Sequence, residues 1–412
     1  MPLNESIHLH EGALWCDGVP LDALADAVGT PAYIYSASRI RANVARLQAA
    51  FASLNADIHY SLKANANLAI VRLLADLGLG MDAVSGGEIA RALRVGVPAE
   101  RIVFAGVGKT AQELAYALEQ GIGWFNVESV GELALFNQLA AERGARPRVA
   151  LRLNPGISAK THRHIATGHS AAKFGIAPDV VGEMLAHQEQ TPHVEIAGLH
   201  VHIGSQLGSV EETAAAVREA QTLARPYPGL RTLNIGGGFP VAYTDDEQYP
   251  APAEFAAALA PLLDGWQVKL EPGRSIVADA GVLLVSVLYV KRQGSARFVI
   301  VDGSMTELIR PALYEAVHPV MPLHPAEPVE PAIVAGPVCE SADILHRDAS
   351  LPDLAPGDRL AILVAGAYGM VMASNYNQRP RPPEILVEGN TWRIVRQRET
   401  WDDLMRLEEP LG

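Results

Sequence analysis

The stretch IHYSLKANANLAIVRLLADLG, residues 58–78, has the pattern that decides the fold. It begins with a short strand-like run, passes through a polar turn and continues with apolar residues three and four positions apart. The first part is typical of a buried strand, and the second is typical of a helix that covers it. The next stretch, MDAVSGGEIARALRVG at 81–96, repeats this order. Each stretch therefore predicts a strand followed by a helix.

Eight strand-like runs of this kind occur between about residues 57 and 275, with helix-like stretches between them. Apolar strands that alternate with helices favour a parallel sheet covered on both faces. Eight such units favour a closed (β/α)8 TIM-type barrel, with a doubly wound open sheet as the alternative. The runs are IHYSL (58–62), MDAV (81–84), IVFA (102–105), GWFNV (123–127), RVALRL (148–153), IAGLHVH (196–202), TLNIG (232–236) and QVKLE (267–271).

After residue 275 the sequence changes character. Gly, Pro and Asp separate several strand-like runs that show little helical periodicity. We predict an all-β sandwich or barrel domain over 277–412 that also takes in residues 1–27, where ALWCDGVPL adds a strand. The barrel is then expected over 28–276. The strand-like runs are VLLVSVLYV, RFVIVD, AIVAG, RLAILVAG, EILVEG and WRIV.

The composition excludes several classes of protein. The 412 residues include 33 basic and 46 acidic ones, a formal charge of −13, so we expect no nucleic-acid partner. The two cysteines, Cys16 and Cys339, are far apart and outside any CxxC motif, which argues against disulfides and zinc and favours the reducing cytoplasm. The N-terminus lacks the apolar core of a signal peptide. The longest uncharged run, 360–376, contains too many glycine and polar residues for a membrane span.

Polar and glycine residues are concentrated at the predicted carboxyl ends of the strands, where the active sites of such barrels lie. Lys63 directly follows the first strand and is one of only six lysines, against 27 arginines. A lysine at this place can form a Schiff base if its pKa is lowered, and a solvated surface charge is the alternative. The other strand-end residues are Asp82, Ser85, Gly106, Asn126, Glu128, Asn154, His200, His202, Gly236–Gly238 and Glu271–Arg274.

The runs GGGF and EPGR follow the last two predicted strands, where phosphate sites of this architecture form. Glycines let backbone N–H groups approach a phosphate, although such a run alone is more often a tight turn. Glu271 is then a candidate to face the pyridine nitrogen of pyridoxal phosphate and keep the ring protonated, with a structural salt bridge as the alternative. His202 is a candidate to stack on the cofactor ring. A metal site shared with His200 lacks a third ligand at suitable spacing, so no metal is expected.

Five further candidates lie in the predicted β domain. The segment GPVCES places Cys339 beside Glu340, although a buried and inert thiol is the usual state of a lone cysteine. Arg310 and Tyr314, in IRPALY, and Tyr368, in GAYGM, are candidates for holding carboxylates.

These motifs occur in the order typical of the group IV decarboxylases, which depend on pyridoxal phosphate. The chain resembles this family over nearly its whole length, and within the family it resembles the branch that acts on meso-diaminopimelate. The last three segments are the most specific. The motifs are HYSLKAN, DAVSGGE, FAGVGKT, NVES, KTHRHIATG, KFGI, HVHIGSQ, IGGGF, EPGR, MTELIRPALY, GPVCESADIL and GAYGMVMASNYNQRPRPPEILV.

The resemblance implies an alanine-racemase-like barrel with a β-sandwich domain. It also implies decarboxylation of meso-2,6-diaminopimelate to L-lysine and CO2, the last step of lysine biosynthesis. Lys63 would hold the cofactor covalently, His202 would stack on its ring, and Glu271 would pair with its nitrogen. The other cofactor-binding residues would be Asp82, Ser205, Gly237, Gly238, Gly273, Arg274 and Tyr368. The substrate-binding residues would be Arg274, Arg310, Tyr314, Glu340 and Tyr368.

Two protomers share each active site in this family, so the resemblance also implies a homodimer. Cys339, as a proton donor, and Glu340 would reach into the partner's barrel. We interpret the polar stretch 160–175 as a mobile lid. The segment DGSMTEL, residues 302–308, departs from the family's usual glycine-methionine-asparagine-aspartate, a change that could shift this loop slightly.

Three alternatives remain open at this point. Related decarboxylases act on D-lysine, D-ornithine, carboxynorspermidine or arginine, but a substrate without a distal carboxylate does not need Arg274, Arg310, Tyr314 and Glu340 together. A non-catalytic regulatory homologue is the second alternative, and the retention of Lys63, Glu271 and Cys339 argues against it. A racemase on the same barrel is the third, and the segment GPVCES is typical of a decarboxylase instead.

Overall fold

The structure is a computed structural model that describes residues 3–157 and 172–408. The chain divides into two compact units. The barrel unit comprises residues 43–241 and 249–275, and the β unit comprises residues 1–42, 242–248 and 276–412. Within the described ranges, no helix is long and apolar enough to cross a lipid bilayer.

The β unit begins with a small antiparallel sheet of its own. Within residues 3–20 this sheet consists of β1 (Ile7–His10), β2 (Ala13–Cys16) and β3 (Val19–Pro20). The strand predicted in ALWCDGVPL is therefore present as β2, but it pairs inside this small sheet. Helix α1 (Leu21–Val28) follows, and β4 (Ala32–Ser36) joins the large sheet of the β unit. All five residues of β4 are buried, although β4 is absent from the strands predicted above.

The barrel unit contains a closed ring of parallel strands, as predicted, and the open sheet is excluded. Among the described residues its strands are β5 (Asp57–Ser61), β6 (Gly80–Ala83), β7 (Ile102–Phe104), β8 (Trp124–Val127), β9 (Arg148–Leu153), β10 (Glu195–Val201), β11 (Thr232–Asn234) and β12 (Gln267–Leu270). They pair in chain order, and β12 closes on β5 with Leu270 opposite Ile58. The carboxyl ends of all these strands therefore meet at one mouth.

Helices alternate with the barrel strands, and side-chain caps define several of their starts. Ser85 Oγ accepts a hydrogen bond from the Glu88 N–H at 3.2 Å, and Thr110 forms a capping box with Glu113. Ser85, one of the strand-end residues, thus begins a helix. The described helices are α2 (Ala37–Ala50), α3 (Leu68–Asp76), α4 (Gly86–Arg94), α5 (Ala111–Glu119), α6 (Val130–Arg143), α7 (Pro178–Ala186), α8 (Val210–Ala224) and α9 (Pro252–Leu263).

The large sheet of the β unit forms around one long strand. The remaining elements are α10 (Arg274–Val277), β13 (Gly281–Gln293), β14 (Ala296–Val301), α11 (Arg310–Tyr314), β15 (Val320–Pro322), β16 (Glu330–Ala335), β17 (Ile344–Leu351), β18 (Arg359–Ile362), β19 (Glu384–Glu388), β20 (Thr391–Arg396) and α12 (Trp401–Met405). The first half of β13 pairs with β4 and β18, and its second half pairs with β14. The fold is a TIM-type barrel plus a β domain, as predicted.

Six of these strands coincide with the runs predicted after residue 275. The strands β15 and β17 are absent from that prediction. The sequence of β17, ILHRDASL, contains three charged or ionisable side chains, and its strand conformation depends on pairing with β16.

The strands β10 and β11 approach each other so closely at Gly198 that a side chain there would not fit. A Cβ at this position would collide with the Thr232 carbonyl oxygen. We expect Gly198→Ala to lower the free energy of unfolding by about 1–3 kcal/mol, because the strands must move apart. Gly182→Ala, on α7 with open space around it, is the control and is expected to stabilise by roughly 0.5–1 kcal/mol. Urea unfolding followed by circular dichroism measures both, and equal stabilities would contradict the close approach.

Candidate active site

Lys63 lies directly after β5, in a single helical turn whose other two residues are buried. Its own side chain is exposed, and its positive charge acts on the carboxyl group of Asp82 and the ring of His202. Lys109, also at the barrel mouth, differs because it is buried and donates to Glu132 Oε1 at 2.7 Å. Lys109 therefore forms a structural ion pair with Glu132, whereas the Lys63 side chain is accessible to a ligand.

Glu271, after β12, is a buried carboxylate with several polar partners. Its Oε1 accepts hydrogen bonds from the side-chain amides of Asn126 at 2.8 Å and Asn234 at 2.6 Å. Its Oε2 lies 3.2 Å from His200 Nε2. Burial alone would raise the pKa of Glu271, but the adjacent His200 and the amide hydrogen bonds outweigh it and hold this pKa well below its usual range. Glu271 is therefore ionised inside the barrel.

Asp82, at the end of β6, is a second buried carboxyl group, and its environment favours the opposite protonation state. Burial raises the pKa of Asp82 to about 7, and the nearby Glu271 carboxylate contributes to this shift. Lys63 and the hydroxyl of Ser61, which donates to Asp82 Oδ2, act in the other direction. The second oxygen, Oδ1, is buried without a hydrogen-bond partner. Two carboxyl groups with separated pKa values are typical of active sites.

His202 follows β10 and carries a neutral ring. Burial and the neighbouring Arg152 cation, with a smaller contribution from Lys63, lower the pKa of His202 well below its usual value. Its Nδ1 accepts a hydrogen bond from the Gly237 N–H at 3.2 Å. The ring therefore carries its proton on Nε2, and a neutral ring in this fixed orientation can stack on a flat cofactor.

The backbone conformation and close packing of the run Gly236–Gly238, after β11, allow no side chain at these positions. Gly236 and Gly238 have φ angles of +69° and +90°, in the left-handed region that side chains disfavour. A Cβ at Gly236 would lie 2.6 Å from His202 Nδ1, and one at Gly237 would collide with the Glu271 carbonyl oxygen. This run is thus a close-packed turn that brings backbone to the barrel mouth, which is the arrangement that a phosphate site requires.

Arg274 and Ser205 meet beside this turn. The buried guanidinium of Arg274 donates from both Nε and Nη2 to Ser205 Oγ, each at 3.2 Å. A Cβ at the preceding Gly273 would lie only 3.0 Å from Ser61 Cβ. The barrel unit therefore brings together Lys63 and Asp82 with the candidates of the last three strands.

The remaining five candidates lie in the β unit. Arg310, in α11, is buried, and its Nη1 donates to Tyr243 Oη at 2.9 Å and lies 2.8 Å from His318 Nε2. Tyr314, at the end of the same helix, is half-buried. Tyr368 has a φ angle of +56°, which is strained for an aromatic residue.

Cys339 and Glu340 are exposed in the loop between β16 and β17, so the reading of Cys339 as a buried, inert thiol is wrong. The Cys339 N–H donates to Asn377 Oδ1 at 2.9 Å. The buried carboxylate of Asp343 accepts the N–H groups of Val338 at 2.8 Å and Met305 at 2.6 Å. Because Met305 belongs to the segment that departs from the family pattern, that segment is hydrogen-bonded to the Cys339 loop.

Comparison with known proteins identifies the family. Residues 37–278 match the family described as pyridoxal-dependent decarboxylase, pyridoxal binding domain. The chain belongs to the pyridoxal-dependent decarboxylases. Diaminopimelate decarboxylase of Aquifex aeolicus is 40% identical over 97% of this chain and 96% of its own length. Among solved structures, diaminopimelate decarboxylase from M. jannaschii in complex with L-lysine has a TM-score of 0.93 at 36% identity, covering 98% of each chain. The Helicobacter pylori enzyme, also with L-lysine, has a TM-score of 0.90 at 41% identity, covering 94% of this chain and 99% of its own.

The cofactor of this decarboxylase is pyridoxal phosphate, and the barrel residues fit it. The ionised Glu271 suits a protonated pyridine nitrogen, and the accessible Lys63 amine suits the cofactor's aldehyde. The glycine turn at 236–238, which any Cβ would obstruct, suits its phosphate. The buried, unpaired Asp82 Oδ1 is a further polar atom in the same mouth.

Several residues of this site were not predicted as part of it. Asn234 is one of them, and a lone amide inside the apolar run TLNIG was the signal that could have revealed it. His200 was predicted as a strand-end residue and weighed as a metal ligand, but its contact with Glu271 was not predicted. Within the described residues no cluster of His, Cys, Asp and Glu suits a metal ion. The predicted lid at 160–175 lies mostly outside the described residues.

The raised pKa of Asp82 predicts a pH-dependent stability that Asp82→Asn removes. In the folded protein this pKa is raised from 3.8 to about 7, so the folded state binds the proton more tightly than the unfolded state does. The resulting stabilisation is fully present below about pH 4 and is lost as the pH rises through 7. We expect the unfolding temperature of the cofactor-free wild type to fall by several degrees relative to Asp82→Asn over this range. Thermal unfolding of both proteins at pH 5–8 measures this difference in unfolding temperature.

The control for this experiment is Asp76→Asn, an exposed position on α3 that is expected to follow the wild type at every pH. A constant difference between wild type and Asp82→Asn across the range would contradict the raised pKa.

Proposed function

We propose that this enzyme is a carboxy-lyase that converts meso-2,6-diaminopimelate to L-lysine and CO2, the last step of lysine biosynthesis. The observation that carries the proposal is the buried Glu271, which accepts hydrogen bonds from Asn126 and Asn234, in the same barrel mouth as the accessible Lys63. The full-length similarity to diaminopimelate decarboxylases supports this choice of substrate.

The bound cofactor supplies an electron sink for the pair of electrons left behind when CO2 departs. Lys63 would hold its aldehyde carbon, and Glu271 would hold its pyridine N–H. His202 would cover one face of its ring with a neutral imidazole. The glycine turn, with Gly273 and Ser205, would bind its phosphate through backbone and hydroxyl donors.

Substrate choice is assigned to other side chains. Arg274 and Arg310 are fixed, buried guanidinium groups, and such groups bind carboxylates with two parallel hydrogen bonds. We assign to them, with Tyr314 and Tyr368, the distal carboxylate and amine of the substrate. A substrate without the distal carboxylate would lose these charge-assisted hydrogen bonds, which disfavours D-lysine and D-ornithine.

The proton that replaces CO2 is assigned to Sγ of Cys339. We propose a homodimer in which Cys339 and Glu340 of one protomer act in the partner's barrel. The exposure of both side chains in the single chain supports this assignment. A thiol with this role must stay reduced, so the proposal places the enzyme in the cytoplasm.

Incubation of the protein with pyridoxal phosphate and meso-diaminopimelate is expected to give equal amounts of L-lysine and CO2. Amino-acid chromatography and CO2 detection measure the products. We expect D-lysine to be turned over roughly a hundredfold less efficiently, because it lacks the distal carboxylate that Arg274 and Arg310 would bind. More efficient turnover of D-lysine would overturn the choice of substrate.

Lys63→Ala is the decisive variant of this assay. The wild type is expected to show an absorbance band near roughly 420 nm that borohydride removes, and the variant is expected to lose both the band and the activity. Lys291→Ala, an exposed lysine near the end of β13, is the matched control and should keep both. An unchanged band in Lys63→Ala would show that another residue holds the cofactor.

The shared site predicts complementation between two inactive variants. Lys63→Ala and Cys339→Ser homodimers are each expected to have little activity. When they are unfolded and refolded together, half of the dimers pair one chain of each kind and contain one complete site. We expect recovery of roughly a quarter of the wild-type activity. No recovery, with mixed dimers confirmed by mass spectrometry, would mean that Cys339 acts within its own chain.

A further inference from the structure

Arg310 is held by two side chains that no motif identified, Tyr243 and His318. The two N–H groups of Arg310 Nη1 face Tyr243 Oη at 2.9 Å and His318 Nε2 at 2.8 Å. The guanidinium carbon also lies 4.8 Å from the centre of the Tyr243 ring. The rings of Tyr243 and His318 pack edge to face, with centroids 5.2 Å apart. The three side chains therefore form a closed, mutually contacting set within the β unit.

The hydrogen bonds of His318 determine where its proton lies. Its Nδ1 lies 3.1 Å from the Leu363 carbonyl oxygen, which can only accept, so Nδ1 carries the hydrogen. Its Nε2 faces the guanidinium of Arg310, which can only donate, so Nε2 must present a lone pair. A single neutral form of His318 satisfies both contacts. His318 is fully buried, so water cannot replace either partner.

We propose that Tyr243 and His318 are positioning residues that determine substrate specificity by fixing the plane of the Arg310 guanidinium for a ligand carboxylate. The inference rests on the proposed function, which assigns to Arg310 the distal carboxylate of the substrate. A long arginine side chain loses considerable rotamer freedom when it binds a ligand. Tyr243 and His318 remove that freedom before the ligand arrives, so the carboxylate meets a preorganised partner.

The variants isolate the two contacts. Tyr243→Phe keeps the ring that packs against Arg310 and removes the accepting oxygen. His318→Asn keeps a donor near Leu363 O but is too short to accept from Arg310. His318→Gln is longer and places an amide oxygen near the former Nε2, so it is the conservative variant that restores an acceptor.

Two ligands separate positioning from a general structural role. L-lysine retains the carboxylate that is distal to the reacting end, and 1,5-diaminopentane is the same chain without it. We expect the dissociation constant of L-lysine from the holoenzyme to rise roughly tenfold in Tyr243→Phe and in His318→Asn. The dissociation constant of 1,5-diaminopentane should change by less than about twofold, and His318→Gln should recover most of the affinity for L-lysine. Titration of the cofactor's absorbance measures each constant.

Steady-state kinetics with meso-diaminopimelate supply a second readout. Tyr243→Phe should raise KM by a similar factor and leave kcat within about threefold of the wild type, because the contact orients a binding group remote from the reacting carbon. Loss of affinity for both ligands by the same factor in Tyr243→Phe, or for neither, would overturn the inference. A wild type that binds L-lysine but does not decarboxylate meso-diaminopimelate would instead overturn the proposed function.

Discussion

An ionised carboxylate buried in the mouth of a barrel is the constraint on which the rest of this site depends. Removing such a charge from water costs several kcal/mol unless polar partners surround it. Glu271 has those partners, because Asn126 and Asn234 donate to one oxygen and His200 lies beside the other. The same negative charge contributes to the raised pKa of Asp82. Burial and the Glu271 carboxylate therefore act together to favour the protonated form of Asp82.

The partners of Glu271 come from three different strands and Glu271 itself follows a fourth, which explains the need for a closed barrel. Asn126 lies on β8, His200 on β10 and Asn234 on β11, and Glu271 itself follows β12. In an open sheet, strands as far apart as β8 and β12 would not point into one interior. The closure of β12 on β5 also brings Lys63 to the same mouth.

The barrel could be predicted from the sequence because each of its units repeats one local pattern. A strand such as RVALRL at 148–153 coincides with β9 residue for residue, since an apolar run bounded by polar residues depends little on distant contacts. In contrast, β17 contains His346, Arg347 and Asp348, and only its pairing with β16 makes it a strand. The small N-terminal sheet and β4 were missed or misassigned for the same reason, since their pairing partners are set by tertiary structure.

The residues of the candidate site also differ in whether their location could be predicted from local sequence. The location of Lys63, Glu271 and the glycine run could be predicted because they directly follow strands. In a closed parallel barrel, the carboxyl end of every strand lies at the same mouth. The partners of Arg310 could not be predicted in this way, since Tyr243 precedes it by 67 residues and lies outside any motif. Most residues assigned to the cofactor directly follow barrel strands. Most residues assigned to the substrate lie on short helices and loops of the β unit, and Arg274, which follows β12, is the exception. Substitutions in these loops can therefore change which carboxylate or amine is bound without disturbing Glu271 and its partners. On this view, changes near Arg310, Tyr243 and His318, rather than changes in the barrel, would convert such an enzyme to a substrate with a different distal group.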